Sequence, residues 1–202
     1  MIYLDNAATT LKKPPCVAEA VVRAMATMGN SGRSAHQEAL DASRVIYRTR
    51  EQLAKLLGCS AAERVVFTCN STEALNIAID GLFAPGDHVL STDCEHNSVL
   101  RPLHRLAAEG RIRLTNAVDP LARMGPDVDL LALPHADNVT GAILPIEQAA
   151  VLCRMHKCLL LVDAAQTAGV LPLYPEEWGV DLCAMPGHKA LLGPQGTGGL
   201  YV

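Results

Sequence analysis

Short apolar segments alternate with longer helix-like segments along most of this chain, and this alternation limits its possible folds more than any other feature. The segment Cys158–Val162 is almost wholly apolar, as expected for a strand that is buried on both faces of a sheet. The other predicted strands are Arg64–Thr68, His88–Ser91, Arg111–Leu114, Asp129–Leu133, Asp181–Ala184 and Gly199–Val202. The pattern predicts an α/β fold in which a mostly parallel sheet is flanked by helices.

The helix-like segments are bounded by residues that start or stop helices. Pro14 and Pro15 open the first one, which runs to Met28, because proline is tolerated in the first turn of a helix. Gly58 follows another helix and supplies a suitable stop. The predicted helices are Pro15–Met28, Ser34–Leu57, Ser71–Leu82, Ser98–Glu109 and Ile146–His156.

Size and composition exclude several classes of protein. The chain has 202 residues, of which 50% are hydrophobic and 19% charged, which suits one globular domain with a full core. A net charge of −4 without a basic stripe argues against a nucleic-acid partner. The sequence lacks both a charged-then-apolar leader and an apolar run of about 18 residues, so we expect a cytoplasmic protein with no membrane contact.

The seven cysteines are an odd number, lie far apart and include no CxxC pair. This distribution argues against a disulfide framework and against a zinc knuckle.

Polar residues follow five of the predicted strands directly. In open α/β sheets, ligands bind outside the carboxyl ends of the strands, so these five loops should converge on one site. The residues are Asn70, Ser71 and Thr72; Glu95, His96 and Asn97; His135, Asp137 and Asn138; Asp163 and Gln166; and His188 and Lys189.

The loop before the third helix has two interpretations. Ser71 and Thr72 stand where free backbone N–H groups and the positive end of a helix dipole would hold a phosphate. Asn70 or Ser71 is equally suited to be a simple N-cap. Taken alone, the residue types leave both interpretations open.

Asp163 and Lys189 each have an ordinary interpretation that changes when they are considered together. A carboxylate after an apolar strand requires a cation, which is often a structural Arg or Lys, and a lone loop lysine is usually solvated. Beside a phosphate anchor and an imidazole, however, this pair could hold an aldehyde as a Schiff base. The glycine-rich run 193–199 lacks the Gly-Lys-Ser/Thr ending of a nucleotide loop, so it predicts a tight turn.

Six short motifs occur in an order that resembles a known family. The motifs are Asp5-Asn6-Ala7-Ala8-Thr9-Thr10, Asn70-Ser71-Thr72-Glu73, Glu95-His96-Asn97, Asn138-Val139-Thr140-Gly141, Asp163-Ala164-Ala165-Gln166 and Gly187-His188-Lys189. This order is similar to that of the class V, fold-type I pyridoxal-phosphate (PLP) enzymes, in the cysteine desulfurase and selenocysteine lyase group. The resemblance covers residues 1–202 and implies a PLP-binding large domain, with residues 1–30 as its N-terminal segment and the small C-terminal domain absent.

The resemblance implies a role for each matching residue at the cofactor ring. Lys189 would attach PLP as an internal aldimine and serve as a catalytic base. Asp163 would pair with the pyridine nitrogen, and Gln166 would bind the ring hydroxyl. His96 would stack on the ring and shuttle protons, and Asn138 would lie near the ring oxygen and the substrate carboxylate.

The phosphate contacts are implied in the same way, with one departure from the family pattern. Ser71, Thr72 and His188 would bind the phosphate. Many relatives have a serine two residues before the histidine, whereas this chain has Pro186, which has neither a hydroxyl nor an N–H. One phosphate contact is therefore expected to be lost or replaced.

The implied reaction removes sulfur from L-cysteine and leaves alanine and a persulfide, in sulfur metabolism and iron–sulfur cluster assembly. The family's persulfide cysteine, its substrate-binding arginine and its small domain are expected beyond Val202. Cys94 is the cysteine nearest the site by sequence. A full-length enzyme of this kind is expected to be a homodimer that passes sulfur to an acceptor protein.

Three alternatives remain open from the residues. A selenocysteine lyase or another class V aminotransferase would share every motif residue. A truncated relative that no longer turns over would also keep them. A metal hydrolase built from His96, His104, His135 and Asp137 is weaker, because the spacings of these residues do not suit metal ligation, and we expect no metal.

Overall fold

A computed structural model describes residues 2–202. Its strands and longer helices follow the predicted alternation closely. The helices are α1 (Pro15–Thr27), α2 (Gln37–Leu56), α3 (Ser71–Leu82), α4 (Asn97–Ala108), α5 (Ile146–His156) and α6 (Pro175–Trp178). The strands are β1 (Val65–Thr68), β2 (Asp87–Ser91), β3 (Ile112–Asn116), β4 (Leu130–Pro134), β5 (Leu159–Asp163), β6 (Leu182–Pro186) and β7 (Gly198–Tyr201).

The seven strands form one sheet in the order β1-β7-β6-β5-β4-β2-β3. Strands β6, β5, β4, β2 and β3 are mutually parallel, while β7 runs antiparallel to both of its neighbours, β1 and β6. The prediction of a mostly parallel sheet flanked by helices is therefore confirmed. Because β1 and β6 both run against β7, the carboxyl ends of β1, β6, β5, β4 and β2 lie at one edge of the sheet.

The central strands are buried on both faces, and their side chains alternate between two cores. In β4, Leu131 and Leu133 belong to one core, while Leu130 and Ala132 belong to the other. Helices α2 and α5 cover the first face, and α3 and α4 cover the second. Two apolar faces explain why these strands appear in the sequence as continuous apolar runs rather than alternating ones.

The structure differs from the prediction at two helices. α2 begins at Gln37 rather than Ser34, because Gly32 turns with a positive φ of 82° and His36 is extended at φ −77°, ψ 159°. The short helix α6 was not predicted, since four residues are too few to show a helical period. Glu176 in α6 accepts hydrogen bonds from the backbone and hydroxyl of Ser60.

Helix α1 buries none of its residues. Val22 and Met25 are 66% and 82% exposed, so the helix presents apolar side chains to the surroundings. In the part of the chain that the structure describes, no helix combines the length and hydropathy needed to cross a membrane.

The close approach of β7 to the start of α3 yields a stability prediction. A Cβ at Gly198 would lie 2.6 Å from the carbonyl carbon of Asn70, whereas one at Gly81 in α3 would meet nothing within 4 Å. Gly198→Ala should therefore lower the free energy of unfolding by about 1–3 kcal/mol through overpacking. Gly81→Ala, the matched control, should raise it by about 0.5–1 kcal/mol by favouring the helix. Thermal unfolding of both variants checks this, and equal effects would contradict the close packing.

Candidate active site

A cleft of about 400 Å³ opens at the carboxyl edge of the sheet, a size typical of small-molecule sites. All eight residues to which the resemblance gave a role line this cleft, and each of the five loops contributes at least one of them. These residues are Ser71, Thr72, His96, Asn138, Asp163, Gln166, His188 and Lys189. The chemical role of each one stays a prediction. Four other polar residues of these loops do not line the cleft, namely Glu95, Asn97, His135 and Asp137.

The start of α3 forms one wall of the cleft. Asn70 is the N-cap, and its side-chain oxygen accepts a hydrogen bond of 2.8 Å from the Glu73 amide. Among the described residues, none accepts a hydrogen bond from the amide of Ser71 or Thr72. The two sequence interpretations are therefore compatible: Asn70 caps the helix, and the next two N–H groups stay available for an anion.

A chain of hydrogen bonds fixes His96 at the start of α4. The His96 Nδ1 atom accepts from the Ser98 amide at 3.1 Å and lies 2.8 Å from the Ser98 hydroxyl, which is 2.7 Å from the Thr72 hydroxyl. Since Nδ1 accepts a backbone N–H, the neutral ring carries its proton on Nε2. Sequence reasoning missed this role of Ser98, because the helix was predicted to begin at Ser98 whereas His96 is its N-cap.

Asp163 lies at the end of β5 and is only 5% exposed. One of its oxygens accepts hydrogen bonds from the Ala165 amide at 2.9 Å and from the Ser71 hydroxyl at 3.4 Å. The expected structural cation partner is not found, because no ion pair among residues 2–202 includes Asp163. Burial raises the pKa of this carboxyl, while His96 and Lys189 at longer range lower it.

Lys189 follows β6 and is half-buried. Burial lowers the pKa of its amine, and the negative charge of Asp163 acts in the opposite direction. A larger fraction of this amine is consequently uncharged near neutral pH than for a free lysine. An uncharged amine is the form that attacks a carbonyl group.

Residues 7–13 form a strap across the loop that carries Lys189. The Thr10 hydroxyl donates to the Lys189 carbonyl at 2.9 Å, and the Lys13 ammonium donates to the His188 carbonyl at 3.1 Å. The His188 ring nitrogen Nδ1 lies 3.0 Å from the Thr9 hydroxyl. The sequence shows a motif at residues 5–10 but not its task of holding this loop, because pairings over such a separation leave no local pattern.

The remaining cleft residues lie at the ends of strands or before a helix: Asn138 follows β4, Gln166 follows β5, Pro186 ends β6 and Cys94 precedes α4. Gln166 donates to the Ala7 carbonyl at 3.3 Å. Asn138 is exposed in a turn in which both oxygens of Asp137 accept backbone hydrogen bonds from the two residues that follow Asn138. Cys94 and Pro186 also line the cleft.

The histidines proposed for a metal site do not assemble into one. His135 is buried with its ring edge-on to Trp178, at a centroid distance of 5.8 Å. Within residues 2–202 no group of three or more His, Cys, Asp or Glu side chains could hold a metal ion.

The donor set suits PLP. The free amides at the start of α3 suit its phosphate, and the half-buried Lys189 amine suits its aldehyde. The buried Asp163 carboxylate, which has no ion-pair partner among the described residues, suits a protonated ring nitrogen. These three features lie around one cleft, so the residues present fit this cofactor.

Comparisons with known proteins agree with this site. A family model described as aminotransferase class-V matches residues 2–202. The chain is 38% identical over 218 residues to the cysteine desulfurase IscS of Vibrio atlanticus (strain LGP32), covering 100% of this chain and 53% of that protein.

Solved structures show the same relationship. An apo cysteine desulfurase from Thermococcus onnurineus NA1 matches with a TM-score of 0.92 and 30% identity, over 100% of this chain and 53% of that one. The structure of SspA in complex with cysteine matches with a TM-score of 0.92 and 28% identity, over 100% of this chain and 61% of that one.

The chain spans about half the length of the curated relatives it matches. Its resemblance to the cysteine desulfurase group, inferred from six motifs, is confirmed. With a family model matched along residues 2–202, the chain belongs to the class-V aminotransferase family.

Proposed function

We propose that this chain is the cofactor-holding part of a PLP-dependent enzyme that removes sulfur from L-cysteine to give alanine and a persulfide. The observation that carries the proposal is the joint placement of Lys189, Asp163 and the free amides of Ser71 and Thr72 around one cleft. The name and cysteine complex of similar proteins support the choice of a sulfur amino acid.

In this proposal the residues of the chain divide into a phosphate end and a ring end. The amides of Ser71 and Thr72, with His188, bind the phosphate. Pro186 contributes shape there without a hydrogen bond. When bound, PLP supplies an electron sink for the carbon atoms of the substrate.

At the ring end, Asp163 holds a proton on the ring nitrogen and Gln166 binds the ring hydroxyl. His96 would stack on the ring, and its Nε2–H would remain free to donate because Ser98 occupies Nδ1. Asn138 orients the carboxylate of the substrate. Lys189 would attach the cofactor and, once the substrate amine has displaced it, its free amine would take the proton from the α-carbon of the substrate.

A selenocysteine lyase or another class V aminotransferase is the second candidate, because the same cleft residues serve all three reactions. Product analysis separates them: alanine with sulfide, alanine with selenide, or a keto acid. The isolated chain should be assayed alone and with the complementary half of a related desulfurase added in trans. We further propose that the complete enzyme is a homodimer that donates sulfur to an acceptor protein.

The first prediction concerns the residue that carries PLP. The purified chain, incubated with PLP and reduced with borohydride, should carry a pyridoxyl group on Lys189, because this amine is half-buried and partly uncharged. Peptide mass spectrometry locates the label. Lys189→Ala should abolish it, whereas Lys55→Ala, which removes an exposed lysine of α2, should leave it unchanged. Equal labelling in the parent and in Lys189→Ala would refute the assignment.

The second prediction concerns the ionisation of Lys189 without any cofactor. Competitive acetylation across pH, with N-acetyl-lysine methyl amide as internal standard, should give Lys189 a pKa below the ordinary lysine value, since burial disfavours the ammonium form. Asp163→Asn should lower that pKa further, because it removes the negative charge that stabilises the ammonium. An unchanged or higher pKa in this variant would show that the two groups do not interact.

A further inference from the structure

Glu95 is a buried carboxyl beside the cleft that has no task in the proposed reaction. It follows β2 and is 6% exposed. Neither of its side-chain oxygens has a hydrogen-bond partner among the described residues. Its chain neighbours Cys94 and His96 line the cleft, but Glu95 does not, so its side chain lies behind the cleft wall.

An ionised carboxylate in this position would be very costly, because a buried charge requires a counterion or several hydrogen bonds. No ion pair within residues 2–202 includes Glu95. Burial raises its pKa well above the ordinary value, and the charge of Asp163 at the end of β5 raises it further. The backbone amide of His96 acts in the opposite direction, without forming a hydrogen bond to either oxygen.

Glu95 and Asp163 are both buried beside the same cleft, because Asp163 lines it and so do the two chain neighbours of Glu95. Two carboxyls in one buried region cannot both readily be negative. Asp163 is the better-stabilised anion. It accepts hydrogen bonds from the Ala165 amide and the Ser71 hydroxyl, and the positive charge of Lys189 also favours its ionised form. Glu95 has none of this support, so Glu95 is the carboxyl that keeps its proton.

We propose that Glu95 and Asp163 form a one-proton carboxyl pair in which Glu95 stays neutral, and that Glu95 thereby acts as a positioning residue for the single charge facing the cofactor ring nitrogen. The pair is a property of the cofactor-free chain. Only the clause about the ring nitrogen rests on the proposed function. In that clause, neutral Glu95 leaves Asp163 as the one anion that a pyridinium N–H would meet.

The direct test is thermal unfolding of the cofactor-free chain from pH 4 to pH 9. Because the folded-state pKa of Glu95 lies above the unfolded value of 4.5, its stabilising contribution is complete below pH 4.5 and is lost as the pH rises towards the folded pKa. Glu95→Gln, which cannot ionise, escapes this loss. The melting temperature of Glu95→Gln minus that of the parent should therefore increase by about 4 °C per pH unit between pH 4.5 and the folded-state pKa of Glu95.

Two further variants show whether the pH-dependent difference in melting temperature comes from the interaction of Glu95 with Asp163 or from the loss of any carboxylate. Glu19→Gln removes an exposed carboxylate from α1 and should show no widening gap with pH. In an Asp163→Asn background, the melting gap that Glu95→Gln produces should shrink, because the neighbouring charge that disfavours ionisation of Glu95 is gone. A constant gap, or one that is the same in both backgrounds, would overturn the pair.

A second measurement covers the case in which Glu95→Gln does not fold. In the parent chain labelled with ¹³C at glutamate Cδ, one carboxyl should titrate well above the others, and Asp163→Asn should lower its pKa. If all glutamates titrate together near their ordinary values, Glu95 is ionised at neutral pH and the pair is excluded.

PLP binding tests the positioning clause separately. At pH 7, Glu95→Gln should keep the half-saturating PLP concentration for Lys189 labelling within about twofold of the parent, while Asp163→Asn raises it about tenfold or more. A tenfold loss in Glu95→Gln would overturn the positioning clause. No labelling of Lys189 in any chain would refute the proposed function, while a pH-dependent melting gap would still support the carboxyl pair.

Discussion

Burial of the central strands on both faces is the constraint on which the rest of the structure depends. β4, β5 and β6 are buried throughout or nearly so, and their side chains supply both cores. A polar group within these strands would face an apolar layer on either side, at considerable cost. The chain can therefore place its reactive groups only where the strands end. Because the strands are parallel, their carboxyl ends lie at the same edge of the sheet, and the polar side chains that follow them line one cleft.

Burial of the Asp163 carboxyl at the end of β5 lowers the stability of the fold. Asp163 is the last residue of β5, and it is buried with only two hydrogen bonds and no ion-pair partner in the described chain. A core selected for stability alone would place an amide or an apolar residue there. A buried carboxylate without a cation partner in the described chain is instead typical of a site that binds a positively charged group of a ligand. Glu95, whose side-chain oxygens have no hydrogen-bond partner within residues 2–202, extends the same local conflict.

Most of the fold could be predicted from the sequence because its elements have local signals. The apolar run around Leu160 and the capping residue Asn70 needed no knowledge of distant contacts. The site residues were found because their motifs resemble a family and follow strand ends. Four features were missed, namely the start of α2 at Gln37, the short helix α6, the Ser98 link to His96, and the strap at residues 7–13. Each depends on tertiary contacts or on local geometry that residue types alone do not specify.

The strap has a consequence for how the protein is made. Its hydrogen bonds join residues 179 positions apart, so Thr9 and Thr10 leave the ribosome long before His188 and Lys189 exist. At about 5–20 residues per second, the early segment waits roughly ten seconds or more for its partner. The parallel core strands can associate during that interval, but the wall of the cleft that carries Lys189 cannot close. The loop around Lys189 therefore acquires its native contacts only after the strands that precede it in the chain have been made.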